Sequence, residues 1–527
     1  MKTLKSFADW RTEIGFHPID GKGLAEILEL SQPPFPRNRQ FVQLKYIESY
    51  AKQIECKSIA VEEMYIDRDH IEDHSAFYSR SFFPYAHTCR RVHFFTLESD
   101  GVKKEFAKIV EVARKGYKRY KDACKKLSDE IYLGFSVIKP LSGCPVGRTV
   151  LKCYPEQSST PGHTRLFPCT KNYDVHLLGV ELSVKGLAFQ QQDEGVSACA
   201  TTALWSAMQK LRDIEEVAAA SPAQITILAS QYALPLGRSM PSEGLEINQM
   251  CQAIQSLGGS PNIIKADNFE NARAQIYSAA LAGFAPVLII KRGQQESHAV
   301  TVAGMKLKQR TMNLDINGID DKAGDLIALY IHDDRNGPYV KAQLEKLGTG
   351  LQLKMEFKEC VPVKAPEEWQ LTHILVPTHP KIRLSFTAMR KVALDIVNDF
   401  EALRRGVKQI TNTTDPITYE VQIVRAHKYI EKFICDGGNV VEFYSRVPLP
   451  RYLGVVTIQS QQIGKFELLI DSTSTPRNIH CLGLVERGVG FFSAEEITFL
   501  VGQYQCNHIA VNQSAGVATP KRAAVRN

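Results

Sequence analysis

Apolar side chains recur every three to four residues in the segment that follows Cys199. They are Ala200, Ala203, Leu204, Ala207, Met208 and Leu211. This spacing places them along one face of a helix. The residues before it, QQQDEGVSA, are mostly polar and contain glycine, which is typical of a loop. The pattern therefore predicts an amphipathic helix that begins near Cys199 and buries one face.

Farther along, short apolar runs predict strands. They are PVLIIK at 286–291, HAVTVAG at 298–304 and LIALYIH at 326–332. A charged, insertion-like loop at 307–325 separates the last two runs, and helical periodicity covers 244–257 and 268–282. We therefore expect residues 186–380 to form one α+β domain, in which the Cys199 helix packs on an antiparallel sheet.

The flanking regions also mix both periodicities. Residues 1–185 predict a mixed α/β accessory domain, with helices at 23–30, 43–53 and 103–127 and strands at 130–140, 150–154 and 174–184. Residues 381–513 predict an α+β accessory domain, with a helix at 384–406, strand or helix at 419–433, a hairpin formed by 451–458 and 465–471, and a helix at 493–503. Residues 514–527 predict a disordered basic tail.

Composition narrows the classes of function. The 527 residues carry 64 basic and 57 acidic side chains, and the net charge of +7 is scattered along the chain, so no nucleic-acid partner is expected. No apolar run approaches the ~18 residues of a membrane helix, and the N-terminus lacks a secretory pattern, so we expect no membrane association and a cytoplasmic location. The 12 cysteines form no CxxC pairs, which favours reduced thiols without a metal or other cofactor.

Nucleophilic thiol chemistry needs residue types that this region supplies in order. A helix N-terminus favours the thiolate form of a cysteine such as Cys199. His298 begins a predicted strand and is the candidate general base and acid. A carboxylate can orient that imidazole, and a glutamine amide can stabilise an oxyanion. The alternative is structural, with Cys199 and His298 as ordinary core residues.

Two neighbouring acids compete for the orienting role. Asp333 and Asp334 follow the strand predicted at 326–332. Strand alternation would place them on opposite faces, so only one would face His298. We favour Asp333, the first residue beyond the apolar run.

The ordered set Gln–loop–Cys–helix, then HAVTVAG, then a strand ending in Asp, resembles the papain-like cysteine peptidases, and most closely their bacterial C39-like branch. The resemblance covers residues 186–380 and implies Cys199 as nucleophile, His298 as base and acid, and Asp333 or Asp334 as the orienting residue. It also implies Gln192, or its neighbour Gln190 or Gln191, as oxyanion donor. Ala and Thr follow Cys199 where that branch has Gly-Pro, and the spacing from Gln192 is one residue longer than usual.

The expected function is therefore that of a cysteine peptidase or other thiol-dependent amide hydrolase acting on a protein or peptide substrate. Two alternatives remain open. The same residues could transfer an acyl group to an amine or deamidate a protein glutamine, or the domain could be an inert scaffold that serves as a binding module. The sequence leaves the oligomeric state open.

Overall fold

The computed structural model describes residues 14–19, 23–30, 41–193, 195–215, 217–231, 239–242, 244–294, 296–308, 319–356, 365–406, 416–475, 479–488 and 492–511. The chain divides into two compact units. Unit 1 comprises Met1–Gln309 and Leu326–His379, and unit 2 comprises Arg310–Asp325 and Pro380–Asn527. Both units combine helices with sheets, so the predicted α+β class is confirmed.

The first part of unit 1 contains a five-stranded sheet. Its strands are β1 (Ile14–Pro18), β2 (Ser58–Tyr65), β3 (Cys89–Phe95), β4 (Tyr132–Ile138) and β5 (Val146–Leu151). They are hydrogen-bonded in chain order, and every pairing is antiparallel. The helices of this part are α1 (Leu24–Ile27), α2 (Val42–Gln53), α3 (Arg68–Ala76), α4 (Ser99–Ala113) and α5 (Tyr117–Glu130). Strand β4 is buried along its whole length, as its apolar run predicts.

The rest of unit 1 is built around a second, larger sheet. Three strands precede the Cys199 helix: β6 (His163–Leu166), β7 (Lys171–Leu177) and β8 (Val180–Gly186). The helices are α6 (Cys199–Glu215), α7 (Pro222–Ala229), α8 (Ile247–Ser256) and α9 (Phe269–Leu281). The next three strands are β9 (Ser260–Lys265), β10 (Val287–Arg292) and β11 (Glu296–Lys308). The chain then contributes β12 (Ile319–Asp321) to unit 2. It returns to unit 1 with β13 (Leu326–Asp333), β14 (Gly337–Leu347), β15 (Gly350–Glu356) and β16 (Glu367–Thr378).

Six of these strands close into an antiparallel barrel. The order is β10-β11-β13-β14-β15-β16, and β16 pairs back with β10. Strand β16 joins the two ends of the barrel: it pairs with β15 at residues 367–370 and with β10 between residues 370 and 375, and its last residues also pair with β9. Helix α6 packs against β10, β11, β13 and β16 through the apolar face that the sequence predicted. The first residue of α6, Cys199, is thereby held against the strand that carries His298.

Several segments differ from the sequence prediction. Only Val150 and Leu151 of the strand predicted at 150–154 lie in a strand, β5, and the loop predicted at 307–325 contains β12. Two further segments differ at turns. Residues 103–127, predicted as one helix, lie in the separate helices α4 and α5, because the chain turns at Gly116 with a φ of +123°. Residues 174–184, predicted as one strand, belong to the hairpin β7–β8, which turns at Leu178 and Gly179, both at positive φ. In both places a glycine adopts a backbone conformation that other residues rarely reach.

Unit 2 contains one six-stranded sheet with helices. Its elements besides β12 are α10 (Phe386–Gly406), β17 (Ile417–Arg425), α11 (Ala426–Cys435), α12 (Val440–Arg446), β18 (Tyr452–Ser460), β19 (Gly464–Asp471), β20 (Cys481–Gly488), α13 (Ala494–Tyr504) and β21 (Asn507–Ala510). The strand order is β12-β17-β18-β19-β20-β21, with parallel pairing at the two ends. The predicted hairpin is confirmed as β18–β19. The segment at 419–433 contains both a strand and a helix.

The predicted division at residues 185 and 186 falls inside unit 1, and the division at 380 and 381 falls near the junction of the two units. Whether the three predicted domains fold separately stays a prediction. The tail predicted at 514–527 lies outside the described residues. None of the described helices combines the length and apolar character needed to cross a membrane.

Candidate active site

Cys199 is the first residue of α6 and is half-buried. It follows a short loop, called here the pre-Cys loop, made of residues 193 and 195–198. The Cys199 thiol lies beside the imidazole of His298 and contributes to the rise in the pKa of that histidine. Helix packing on the barrel therefore brings together two residues that are far apart in the sequence.

His298 lies near the start of β11, opposite Ile290 of β10, and is 4% exposed. Its Nε2 atom lies 2.9 Å from Oδ1 of Asp333, the last residue of β13. Strands β11 and β13 are neighbours in the barrel, which is why the two side chains meet. Since Asp333 takes the Nε2 side of the ring, Nδ1 is the nitrogen left for Cys199.

Hydrogen bonds hold Asp333 in place from its other side. Oδ1 also accepts from the backbone N–H of Arg335 at 3.1 Å, and Oδ2 accepts from Nδ2 of Asn336 at 2.5 Å. The carboxylate thus has fixed partners on both oxygens. These bonds fix its orientation toward the imidazole of His298.

The charges of this group favour a protonated histidine. Burial alone would lower the pKa of His298, yet Asp333 and the hydrogen bonds with Asp333 and Cys199 raise it well above its ordinary value. Burial would raise the pKa of Asp333, but His298 and the hydrogen bond from Asn336 hold it below its ordinary value. By contrast, burial lowers the pKa of His332, on the same strand as Asp333, to about 3, so this histidine stays neutral. The environment of His298, and not histidine burial in general, favours the imidazolium.

Asp334 is a second buried carboxyl group beside the same imidazole. Its Oδ1 lies 3.6 Å from Nε2 of His298, and neither oxygen has a hydrogen-bond partner among the described residues. Burial raises the pKa of Asp334 to about 7. The charge of His298 acts to lower this pKa, and the charge of Asp333 acts to raise it. Strand alternation was expected to turn one acid away from His298. Both approach it because β13 ends at Asp333 and the chain enters a turn at Asp334.

Trp369 covers one side of the histidine. Its ring centroid lies 5.5 Å from that of His298, and the tryptophan is 1% exposed. The guanidinium groups of Arg292 and Arg335 lie 4.9 and 5.6 Å from the Trp369 ring, and Glu296 pairs with both arginines. This layer shields the His298–Asp333 pair from solvent, which strengthens their interaction. Trp369 could not be predicted from the sequence as part of the site, because its position over His298 depends on barrel closure.

The three glutamines before Cys199 have different surroundings. Gln190 is buried, and its Nε2 has no hydrogen-bond partner among the described residues. Gln191 is buried too, and its Oε1 accepts from the backbone N–H of Val146 at 3.3 Å. Gln192 is exposed and lines a cavity next to the pre-Cys loop. Gln191 lines the same cavity, but Gln192 is the exposed one of the two.

The cavity has a volume of about 450 Å³ and a lining of mixed polar and apolar character. It is lined by Gln43, Gly143, Cys144, Gln191, Gln192, Asp193, Ser197, Ala198, Ser242, Asp334 and Arg335. Gln43, on α2, donates from Nε2 to the backbone oxygens of Asp334 and Arg335 at 3.0 and 3.1 Å. The region predicted as an accessory domain thus forms part of the cavity wall, a contact that no local sequence pattern indicates.

Among the described residues, His298, Asp333 and Asp334 form the group whose ligand atoms lie close enough, within 4.8 Å, to hold a metal ion. Asp333 already accepts hydrogen bonds on both oxygens, and one of them comes from His298. A metal ion at this point would have to break those bonds. The arrangement fits a hydrogen-bonded Cys-His-Asp set better than a metal centre.

No protein-family model matches this chain, and no curated protein matches its sequence. Function must therefore be argued from the geometry of Cys199, His298 and Asp333.

Proposed function

We propose that this protein is a cysteine-dependent peptidase or amide hydrolase whose central region, residues 186–380, has a papain-like fold. The observation that carries the proposal is the continuous set of contacts from Cys199 through the buried His298 to Asp333. A helix that begins with the cysteine and packs on antiparallel strands bearing the histidine and the acid supports the papain-like assignment. The interaction of the thiol with the imidazole favours an active enzyme over an inert scaffold.

In the proposed reaction, His298 holds the proton of the Cys199 thiol, leaving a thiolate–imidazolium pair. The sulfur attacks the carbonyl carbon of a peptide bond, and the carbonyl electron pair moves to oxygen. The Gln192 amide and the backbone N–H of Cys199 stabilise that oxyanion. As it collapses, the C–N bond breaks and His298 gives its proton to the leaving amine.

The second half of the reaction hydrolyses the thioester. His298, now neutral, takes a proton from water as the water oxygen attacks the acyl carbon. The C–S bond breaks, the carboxylic acid leaves, and the thiolate–imidazolium pair is restored. Throughout, Asp333 keeps Nε2–H in place and stabilises the positive ring.

The first test is the reactivity of Cys199 toward iodoacetamide at pH 5.5–6, where an ordinary thiol reacts slowly because ~1% or less of it is thiolate. Labelled sites are identified by peptide mapping. We expect Cys199 to react at least about tenfold faster than Cys435, which is exposed and therefore an accessible reference. Equal rates at the two cysteines would contradict the proposal.

The second test compares wild type with Cys199→Ala on a peptide library, with Cys251→Ser as the matched control. Cys251 is also half-buried on a helix of unit 1, but its pKa is raised by burial. Cleavage should disappear with Cys199→Ala and persist with Cys251→Ser. Adding a primary amine to the assay tests the competing acyl transfer. Amine incorporation without peptide cleavage would show that the protein acts as a transferase and not as a hydrolase.

A further inference from the structure

Resting on this proposed function, we propose that Lys139 is a positioning residue for catalysis: it holds Asp193, and through Asp193 the pre-Cys loop, in the conformation that aligns Gln192 with Cys199. Lys139 follows β4 in the N-terminal sheet and belongs to the region predicted to be accessory. It touches no reacting atom. Its effect would pass through the loop.

Asp193 organises the pre-Cys loop from inside. Its Oδ1 accepts from three successive backbone N–H groups, those of Gly195, Val196 and Ser197, at 3.0, 2.7 and 3.2 Å. The Asp193 N–H in turn donates to Oγ of Ser197 at 3.1 Å. One carboxylate therefore sets the path of the chain just before Cys199. It also occupies N–H groups that would otherwise compete for an anion in the site.

Lys139 balances the charge that this arrangement buries. Its Nζ lies 3.4 Å from Oδ2 of Asp193, and both side chains are almost completely buried, at 4% and 1% exposure. Burial would lower the pKa of Lys139, but Asp193 raises it above the ordinary value, so the lysine stays charged. The Tyr78 hydroxyl also interacts with Asp193. Removing one partner of a buried pair leaves the other charge uncompensated, and the structure then rearranges to hydrate it.

The residues on both sides of Asp193 explain why such a rearrangement would reach the chemistry. Gln192 precedes it and Ala198 ends the loop, and both line the cavity. A shift of the loop changes the distance between the Gln192 amide and the backbone N–H of Cys199. These two groups act on the oxyanion, which forms after substrate binds, so kcat depends on their alignment more than KM does.

The test measures kcat and KM for peptide cleavage in Lys139→Met, Asp193→Asn and the double variant. Each single variant should lower kcat at least tenfold and leave KM within about threefold. The double variant removes both charges, so it should recover part of the loss. Lys139→Arg, which keeps the charge, should lie closer to wild type than Lys139→Met.

Arg91→Met is the matched control, since Arg91 forms another buried ion pair of unit 1, with Glu62 at 2.5 Å on neighbouring strands. It should lower thermal stability and leave kcat within about twofold. Equal losses of kcat in Lys139→Met and Arg91→Met, or no loss in Lys139→Met, would overturn the positioning role. If Lys139→Met does not fold, Tyr78→Phe replaces it, with an expected two- to fivefold loss of kcat; an unchanged kcat there would count against the proposal.

Iodoacetamide labelling of Cys199 separates the two proposals. Alkylation forms no oxyanion, so Lys139→Met should label at Cys199 within about threefold of wild type. Slow labelling in wild type would overturn the proposed function itself. Fast labelling in wild type with unchanged kcat in Lys139→Met would overturn only the role of Lys139.

Discussion

Buried charges are arranged differently in the two units. In unit 2, Glu467 and Arg487 are buried as a pair of opposite charges at 2.8 Å, and the second acid on Arg487, Asp436 at 2.7 Å, is 45% exposed to solvent. In unit 1, two acids, Asp333 and Asp334, are buried side by side against the single imidazole of His298. The first arrangement neutralises its own charge. The second contains one acid more than its one base can balance.

The pKa shifts show what this difference means. In unit 2, burial and Glu467 raise the pKa of Tyr429, and the pKa of Arg487 is also raised, so both keep their ordinary charge at neutral pH. In unit 1, Asp334 has a pKa of about 7 and His298 titrates well above its ordinary range. A shift that moves the titration of a buried carboxyl group toward neutral pH, as at Asp334 in the cavity wall, is typical of functional sites. Variants at the two clusters should therefore have different consequences.

The largest effect is expected for His298→Ala. Removing the base leaves the Cys199 proton without an acceptor, so peptide cleavage should fall by about 10²–10⁴-fold. Labelling of Cys199 near pH 6 should slow as well, whereas circular dichroism should still report a folded chain. If His298→Ala kept the wild-type cleavage rate, His298 would have a structural role only, as proposed for Glu467 and Arg487 in unit 2.

Gln192→Ala comes next. Loss of one oxyanion donor should lower kcat by about 10²-fold. The rate of Cys199 alkylation should stay near wild type, because that reaction has no oxyanion. Gln255→Ala, at an exposed glutamine on α8, is the control and should change neither rate. Equal kcat in the two variants would exclude Gln192 as the donor.

Asp334→Asn should change the stability of the protein more than its reaction. The folded-state pKa of about 7 exceeds the ordinary 3.8, so ionisation of Asp334 opposes folding progressively as pH rises from 4 to 7 and fully above 7. The asparagine variant should therefore unfold at a higher temperature than wild type at pH 8, by an amount equivalent to about 1–4 kcal/mol. The gain should vanish near pH 4.

Asp333→Asn is expected to change the thermal stability at pH 8 in the opposite direction to Asp334→Asn. The pKa of Asp333 is lowered in the folded state, so its charge stabilises the fold above its ordinary pKa, and this contribution is lost as pH falls through the folded-state value. The variant should be destabilised at pH 8. Melting temperatures of both variants and of wild type, measured at pH 4 and pH 8, test these two predictions. If both variants melted above wild type at pH 8, or both below it, the opposite pKa shifts assigned to Asp333 and Asp334 would be contradicted.

The smallest effect on the reaction is expected for Glu467→Gln in unit 2. It removes the buried partner of Arg487 and the acceptor for the Tyr429 hydroxyl, so the free energy of unfolding should fall by about 3 kcal/mol. The rates of Cys199 labelling and peptide cleavage, measured well below the melting temperature, should match wild type. A loss of cleavage would show that the two clusters are not independent.

The parts that the sequence predicted well are those that depend on local pattern. The apolar face of α6 and the runs that became β10, β11 and β13 are visible as periodicity, and Cys199 and His298 lie at or near the starts of such elements. Contacts between distant elements could not be predicted in this way. The pairing of β16 with β10, the ring of Trp369 over His298 and the contact of Lys139 with Asp193 depend on how elements pack.

Strand β12 also constrains the order in which the protein can form. Ile319–Asp321 is made between β11 and β13 but pairs with β17 of unit 2. Asp321 and its partner Tyr419 are separated by 98 residues, which take about 5–20 s to synthesise. During that interval the strand has no partner, and its unpaired edge is open to other chains. A C-terminal deletion that removes β17 would make this exposure permanent, so aggregation of such a fragment is expected even if its catalytic residues are intact.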